Sequence, residues 1–347
     1  MLSGREHAAS GCRTRREFLY QIGAATAGLV AAPRLLAEPG EAPAARPDAP
    51  VPGKATRVII ARDETLTKGS VDEHAELLRK LLDAALQRLT DAPDAATAWR
   101  SFFKAGDRVA LKVNTLGLST QPAVADAIVA GLCAAGVRPE NIIIWDRFDR
   151  ELAAAGFKLN QSTDGVQCRG TDAERIGSGY AEEVEKSGEI GSCFSRILTG
   201  PVDAIISVPV FKDHGLAGVS LGMKNFYGAI HNPNKYHGNN CDPFVADVVA
   251  HRYIAPKWRL TICDGTRAQV QGGPGRSPQH AWSFGGLIIS NDFVAADAVG
   301  ADLLEQERHA RGLKSLAEDR RPPKHIATAG ARGLGQSDLN RIERIEV

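Results

Sequence analysis

The sequence is poor in aromatic residues and has almost no excess of charge of either sign. Its 347 residues include 6% Phe, Trp and Tyr, and 42 basic and 41 acidic side chains leave a net charge of +1. No extended basic tract is present, and nucleic acid is bound through concentrated positive charge. We therefore expect no nucleic-acid partner. The apolar share of 43% and charged share of 24% are typical of a globular protein.

Cysteine is scarce, and its residues are far apart. No C-x-x-C pair occurs among the six cysteines, which are Cys12, Cys133, Cys168, Cys193, Cys241 and Cys263. This spacing excludes a zinc ribbon and a ferredoxin-type iron–sulfur cluster motif. Cys133 and Cys263 lie in apolar runs and are predicted to be buried. A disulfide between Cys168 and Cys193 is one alternative in an oxidising compartment, and the pairing stays open.

No apolar run reaches the roughly 20 residues that a membrane-spanning helix needs. The mild run at 22–32 follows Arg15 and Arg16 in RTRREFL and precedes Arg34. This pattern predicts a twin-arginine export signal over residues 1–37, followed by a Pro/Ala-rich linker over residues 38–54. A basic amphipathic N-terminal helix is the alternative.

The export signal carries further predictions. It implies a periplasmic protein that has the twin-arginine export machinery as a partner and no membrane span in its mature chain. Because this route carries folded proteins, often with a cofactor inserted, a bound metal or cofactor becomes more plausible. The sequence does not indicate an oligomeric state or the site of cleavage.

Strand and helix patterns alternate along residues 55–347. The predicted strands are 56–63, 107–114, 141–146, 202–210, 259–264 and 286–292, and the predicted helices are 70–89, 121–136, 242–254 and 292–308. The strands are continuous apolar runs, as expected for a sheet covered on both faces. We therefore predict an α/β fold with a doubly wound, mostly parallel sheet and helices on both faces. Residues 150–200 are polar and glycine-rich and are the candidate for a smaller subdomain or excursion.

Polar residues stand where the predicted strands end. In open α/β sheets, ligands bind in the crevice beyond the carboxyl ends of the strands. The strand ends therefore predict a common site that includes Asn114, Asp146, His214, Asp264 and Asp292. Structural alternatives exist, because Asp292 is placed to cap the following helix and Asp264-Gly265 is a turn signal.

Residues 212–244 are rich in side chains that can bind a metal or transfer a proton. Their sequence is KDHGLAGVSLGMKNFYGAIHNPNKYHGNNCDPF. GLAGVSLGMKNFYGAIHNP is predicted as a helix ending at Pro233. Ser220, Lys224, Tyr227 and His231 then share one face, and a solvent-facing polar stripe is the alternative. Its glycines weaken a helix by about 1 kcal/mol each, which indicates close approach of a ligand or another backbone.

These patterns assign candidate roles. His214 and Lys224 are the predicted catalytic residues, since a strand-end histidine can act as acid, base or ligand and a desolvated lysine as nucleophile or base. The predicted substrate-binding residues are Asn114, Lys212, Asn225 and Tyr227. The candidate transition-metal ligands are His214, His231, His237, Cys241, Asp264 and Asp292. The loop QGGPGRSP, residues 271–278, is predicted to lie at the rim of the pocket.

Three stretches together resemble a known family. They are SVPVFKDHGLAGVSLGMKNFYGAI, then DG followed by GGPG, then LIISNDFVAADAVGADLL. Their order and spacing, over about residues 107–310, are similar to those of the domain of unknown function 362 family. The chain looks like the exported members that lack a ferredoxin segment. It also has a more distant likeness to nickel-pincer lactate racemases, in which a catalytic histidine precedes a cofactor-anchoring lysine, as His214 precedes Lys224.

The sequence thus predicts a periplasmic enzyme that acts on a small anionic molecule in a strand-end pocket, with a metal or cofactor as a candidate component. The alternatives are a non-catalytic protein that binds or matures a metal or redox cofactor for a periplasmic partner, and a structural partner of a respiratory complex. The substrate cannot be predicted from these patterns.

Overall fold

A computed structural model describes residues 56–175 and 177–347, so the predicted export signal and linker lie outside the described residues. The strands are β1 Thr56–Arg62, β2 Val109–Val113, β3 Ile142–Asp146, β4 Gln167–Gly170, β5 Glu185–Ser187, β6 Ile190–Ser192, β7 Ala204–Val208, β8 Val210–His214, β9 Gly218–Val219, β10 Trp258–Gln269, β11 Ala281–Trp282, β12 Gly286–Ser290 and β13 Ile342–Glu346. The α-helices are α1 Ala75–Thr90, α2 Ala95–Arg100, α3 Pro122–Ala134, α4 Asp149–Ala154, α5 Arg196–Thr199, α6 Phe244–Ala250, α7 Phe293–Ala310 and α8 Lys324–Ala331. The 3-10 helices are Glu64–Thr67, Asp72–His74, Pro139–Asn141, Lys224–Ala229, Pro233–Tyr236, Asn239–Cys241, Ala255–Lys257, Pro278–His280 and Leu339–Arg341.

An eleven-stranded sheet forms the centre of the fold, in the order β13-β1-β12-β10-β7-β2-β3-β4 with β8, β9 and β11 beside it. The strands from β10 to β4 run parallel, and β8 adds a further parallel pairing along β10. Strand β12 is antiparallel to both β1 and β10. The prediction of a mostly parallel α/β sheet is therefore confirmed. Strands β5 and β6 form a separate hairpin within the predicted excursion at 150–200.

Helices cover both faces of the sheet, as the unbroken apolar strands predicted. On one face, α1, α2 and α3 pack through buried residues such as Leu82, Trp99 and Ile128. On the other face, α6, α7 and the segment after β9 pack through buried residues such as Phe226 and Val299. Parallel strands between two helical layers present all their carboxyl ends at one edge, and this edge carries the site described below.

The prediction of a helix over residues 215–233 is wrong. The chain forms β9, a turn and the 3-10 helix Lys224–Ala229 instead. Gly218 adopts a positive φ of 79°, and the buried Asp297 carboxylate accepts the backbone N–H groups of Gly222 and Met223. These two N–H groups therefore donate to a side chain of α7. In an α-helix they would donate to carbonyl groups four residues earlier in the chain.

Other local expectations also need correction. Strand 202–210 is divided at Pro209 into β7 and β8, and the predicted strand 259–264 continues to Gln269. The described cysteines are all free thiols, so the alternative of a Cys168–Cys193 disulfide is wrong, and Cys133 is exposed where burial was expected. Among the described residues, no helix has both the length and the apolar character needed to cross a bilayer.

Candidate functional site

A cavity of about 530 Å³ opens beyond the carboxyl ends of β2, β3 and β8. Its volume lies within the usual range for small-molecule sites. The predicted residues that line it are Asn114, Asp146, His214, Ser220, Lys224, Asn225, Tyr227 and His237. The structure thus brings together residues from the ends of β2, β3 and β8 and from the segment that follows β9.

The remaining predicted residues lie elsewhere. Lys212 is buried beside the cavity without lining it, and Cys241 is buried next to Tyr227, also without lining the cavity. His231 is exposed and makes an edge contact with Tyr180. The Asp264 carboxylate accepts hydrogen bonds from the backbone N–H of Gln121 and from Thr266.

Asp292 serves as the N-cap of α7. Its carboxylate accepts the N–H groups of Val294 and Ala295, and also that of Gln336. This is the structural role that its position before the helix had suggested as an alternative.

A buried ion pair forms the floor of the cavity. Lys112 Nζ lies 2.6 Å from Asp146 Oδ1 and 3.1 Å from Asn225 Oδ1. Thr115 donates its backbone N–H and its hydroxyl to Asp146 Oδ2, each at 2.8 Å. Burial lowers the pKa of Lys112, and the Asp146 carboxylate partly offsets this effect. Every polar group of the pair is satisfied, so the floor is rigid and locally neutral.

Gly228 allows this floor to form. A Cβ atom at residue 228 would stand 2.8 Å from Asp146 Oδ1 and 3.0 Å from Lys112 Nζ. A side chain at this position would therefore push against both members of the ion pair. At Gly228 the close neighbours are two side chains, and not the ligand or backbone that the sequence had predicted.

His214, at the end of β8, is held as a neutral hydrogen-bond donor. Its Nδ1 accepts the backbone N–H groups of Leu216 and Ala217, each at 3.1 Å. Burial, reinforced by nearby Lys224, lowers the pKa of His214 to about 2. A neutral imidazole carries one proton, so this proton sits on Nε2. In this state His214 donates from Nε2 and has no free lone pair to accept a proton or bind a metal.

Lys224 is the buried cation of the cavity that lacks an acidic partner. It is 8% exposed and forms no ion pair with any carboxylate in the described part of the chain. Its Nζ donates to His237 Nε2 at 3.2 Å and lies 3.7 Å from the centre of the Tyr227 ring. Burial lowers the pKa of Lys224 to about 8. An ammonium in this setting favours an anionic ligand, and its free amine is accessible near neutral pH.

His237 and Tyr227 hold Lys224 in place. His237 Nδ1 donates to the Pro233 carbonyl at 3.0 Å, so Nε2 is free to accept from Lys224. The Tyr227 hydroxyl donates to the carbonyl of Tyr236 at 2.7 Å, and burial raises its pKa. Tyr227 therefore contributes the face of its ring to the site and not an ionisable hydroxyl.

Two charged residues of the cavity were missed by the sequence analysis. Arg147 directly follows the strand-end Asp146, donates to the His231 carbonyl at 2.8 Å and forms no ion pair with a described carboxylate. Glu151 also lines the cavity, and its side chain has no hydrogen-bond partner among the residues described. Burial, together with the charge of Asp146, raises the pKa of Glu151. Both residues follow Asp146 at the end of β3, and this position in the sequence could have indicated them.

Lys112 was also missed, although its signal was present in the sequence. It is a charged residue inside VALKV, a strand that is otherwise continuously apolar and fully buried. Burying a lysine is costly unless it is paired, so such a position implies a partner on a neighbouring strand. Asp146 on β3 is that partner.

Lys212 holds loops together beside the cavity. Its Nζ donates to Asn114 Oδ1 and to the carbonyls of Leu116, Leu118 and Pro274, at 2.5 to 3.2 Å. Burial lowers the pKa of Lys212 to about 7. Four oxygen acceptors leave the ammonium no free hydrogen for a ligand. Pro274 belongs to the predicted glycine loop and does lie at the cavity rim.

The candidate metal ligands are not collected into one centre. In residues 56–175 and 177–347, no three His, Cys, Asp or Glu side chains are arranged so that they could hold a metal ion. The His214 and His237 rings are near each other, with centres 5.9 Å apart, but His237 Nε2 faces Lys224. These donors do not fit a transition-metal site, and we assign no step to a metal.

The fold and the cavity define an α/β protein with a cavity at the carboxyl ends of its strands. The profile of the family described as domain of unknown function (DUF362) matches residues 109–302, from β2 into α7. This match covers more than half of the chain, and the chain belongs to that family. No curated protein and no solved structure matches the chain significantly.

Proposed function

We propose that the protein is an enzyme that acts on a small anionic molecule bound at the carboxyl ends of β2, β3 and β8. The observation that carries this proposal is Lys224, a buried ammonium in a cavity with no carboxylate partner in the described chain. An uncompensated buried charge destabilises a fold, and a ligand of opposite charge removes that cost. Arg147, which has no acidic partner among residues 56–175 and 177–347 either, adds a second cation at the same cavity.

The reaction class that these groups support best is removal of a proton from carbon next to a carbonyl. With the carboxylate held by Arg147, the free-amine form of Lys224 would take the proton, and the electron pair would move to the carbonyl oxygen. The neutral His214 Nε2–H would donate to the resulting oxyanion. A lysine pKa of about 8 suits a general base that works near neutral pH.

A non-catalytic role is the alternative, in which the protein holds an anionic cofactor for a partner. The cavity volume of about 530 Å³ favours it, because it is large enough for a molecule of cofactor size. In that case Lys224 and Arg147 would bind the ligand without turnover. The periplasm as the compartment rests on the twin-arginine pattern of residues 1–37 alone and is part of the proposal.

Exchange of carbon-bound hydrogen with solvent tests the proposal. The purified chain is mixed with 2-oxo acids in D₂O, and deuterium next to the carbonyl is followed by NMR. We expect incorporation by the wild type and a loss of at least a hundredfold in Lys224→Met, which keeps the length of the side chain without the amine.

Lys104→Met, at an exposed lysine, is the matched control and should exchange like the wild type. Tight binding of these acids with no exchange in the wild type would favour the non-catalytic alternative. Absence of both binding and exchange across the panel would contradict both functions.

A further inference from the structure

Two leucines at the cavity rim are exposed. Among the residues described, the large hydrophobic side chains with high exposure are Leu116 at 54%, Leu159 at 41%, Val184 at 65% and Leu216 at 51%. Leu116 and Leu216 both line the cavity, although they belong to the separate loops that follow β2 and β8. Single exposed leucines need no explanation, whereas two that line the same cavity give its rim an apolar character.

The backbone of both leucines is held in place. The Leu116 carbonyl accepts from Lys212 Nζ at 2.5 Å. The Leu216 N–H donates to His214 Nδ1 at 3.1 Å, and its carbonyl accepts from Asn240 Nδ2 at 3.0 Å. The exposure of these side chains is therefore a property of ordered loops. A surface that is preorganised in this way loses little entropy when a ligand binds to it.

The cavity therefore has a charged part and an apolar part. Lys224 and Arg147 supply the cations, and the His214 Nε2–H supplies a neutral donor. The exposed Leu116 and Leu216 supply apolar walls at the rim, whereas the Phe148 ring packs against the guanidinium group of Arg147, 4.8 Å from its centre. A compact inorganic anion would contact the first group only and would leave the leucines in water.

We propose that the ligand is an amphiphilic carboxylate. Its carboxylate is bound by Arg147 and by the ammonium form of Lys224, whereas the free-amine form of Lys224 is the base of the proposed reaction. Its apolar chain or ring contacts Leu116 and Leu216. The inference rests on the proposed function, because it uses the same cavity and the same cations. It adds that the apolar body of the ligand supplies part of the affinity and the selectivity.

Calorimetric titration of the full chain with acetate, butanoate and octanoate tests the inference. A fully buried methylene contributes about 0.8 kcal/mol, which corresponds to about a fourfold gain in affinity. Because the rim stays partly open, we expect a twofold to fourfold gain per methylene. Equal affinity for the three carboxylates would overturn the inference while leaving an anion site in place.

The Leu116→Ser/Leu216→Ser double variant removes the apolar walls at exposed positions, where the change should not affect folding. We expect it to bind acetate like the wild type and to lose most of the gain with chain length. Leu159→Ser, at an exposed leucine outside the cavity, should keep the full gain. The inference would be overturned if the affinity of the double variant still rose with the chain length of the carboxylate. It would also be overturned if Leu159→Ser lost this rise to the same extent.

Lys224→Met separates this inference from the proposed function. If the cation binds the head group, the variant should lose at least tenfold in affinity for all three carboxylates. Should Lys224→Met bind them all as tightly as the wild type does, the anion site itself would be wrong, and the inference with it.

Discussion

Lys212 and Lys224 are both buried near the same strand end, but their surroundings differ. Lys212 Nζ donates to four oxygens, three of which are backbone carbonyls. Lys224 Nζ has one hydrogen bond, to His237, and the face of Tyr227. The first ammonium has acceptors for all its hydrogens, and the second has hydrogens left to donate into a cavity. Burial alone therefore does not identify a functional lysine, whereas the number of acceptors around it does.

The groups that neutralise the ammonium charge also differ among the buried lysines. The third buried lysine of this region, Lys112, lies 2.6 Å from Asp146. Lys212 is surrounded by oxygen dipoles, and Lys224 has neither carboxylate nor carbonyl in the described contacts. A buried charge that carboxylate or carbonyl oxygens neutralise stabilises the fold, whereas a buried charge without such oxygens is stabilised by an anionic ligand. We therefore propose a structural role for Lys112 and Lys212 and a ligand-binding role for Lys224.

The largest expected difference is in stability, between the Lys212→Met and Lys224→Met variants. Lys212→Met leaves four part-buried acceptors without their donor, and we expect the unfolding free energy to fall by about 2–4 kcal/mol. Lys224→Met replaces a poorly paired charge with an apolar chain of similar volume, and we expect a change within about 1 kcal/mol. Urea denaturation measures both. If the two variants lose equal stability, the distinction between the two lysines is wrong.

The next effect concerns the floor of the cavity. Gly228→Ala places a methyl group against Lys112 and Asp146, and we expect a loss of about 1–3 kcal/mol in unfolding free energy. Gly238→Ala is the matched control, because a Cβ atom there meets nothing within 4 Å and its φ is −64°. Thermal and urea unfolding of both variants provide the measurement. Equal stability of the two variants would show that the ion pair can move aside.

The smallest effect is a pH dependence specific to Lys224. Its pKa of about 8 means that the ammonium is lost as the pH rises through 8. Carboxylate affinity should therefore be constant below pH 8 and fall up to tenfold per pH unit above it, as calorimetry would show. In Lys224→Arg the cation persists, so any affinity it retains should not fall near pH 8. A wild-type affinity that stays flat to pH 10 would contradict the role given to Lys224.

The same pKa shift has a consequence for stability. Between pH 8 and the 10.5 of an ordinary lysine, the unfolded chain holds a proton on Lys224 that the folded chain has released. The contribution of this residue to unfolding free energy should therefore rise with pH across that window. Comparison with Lys224→Met isolates the effect, since all other titrating groups are shared.

Much of the site was predictable because strand ends are marked by local sequence. A polar residue after an apolar run indicated Asn114, Asp146 and His214, and the rule for open α/β sheets placed them together. What could not be predicted was which side chains point into the cavity. Lys212 and His214 belong to the same strand, yet one is held by carbonyls and the other lines the pocket.

The failed helix has a similar physical cause. The spacing of Ser220, Lys224 and Tyr227 fits a helical face, and all three do line the cavity. They reach it from a turn and a 3-10 helix, because Asp297 on α7 engages the N–H groups of Gly222 and Met223. No local pattern around residue 222 reveals a carboxylate that lies far along the chain.

The sequence by itself determined the α/β class, the mostly parallel sheet and the edge at which the site lies. These features follow from apolar periodicity and from polar strand ends, which are local properties. Only the tertiary structure decided the tautomer of His214, the pairing of Lys112 with Asp146 and the lack of a carboxylate beside Lys224 in the described part of the chain. Each depends on which groups from distant segments come within hydrogen-bonding distance, and the charge of a buried side chain is set by those neighbours.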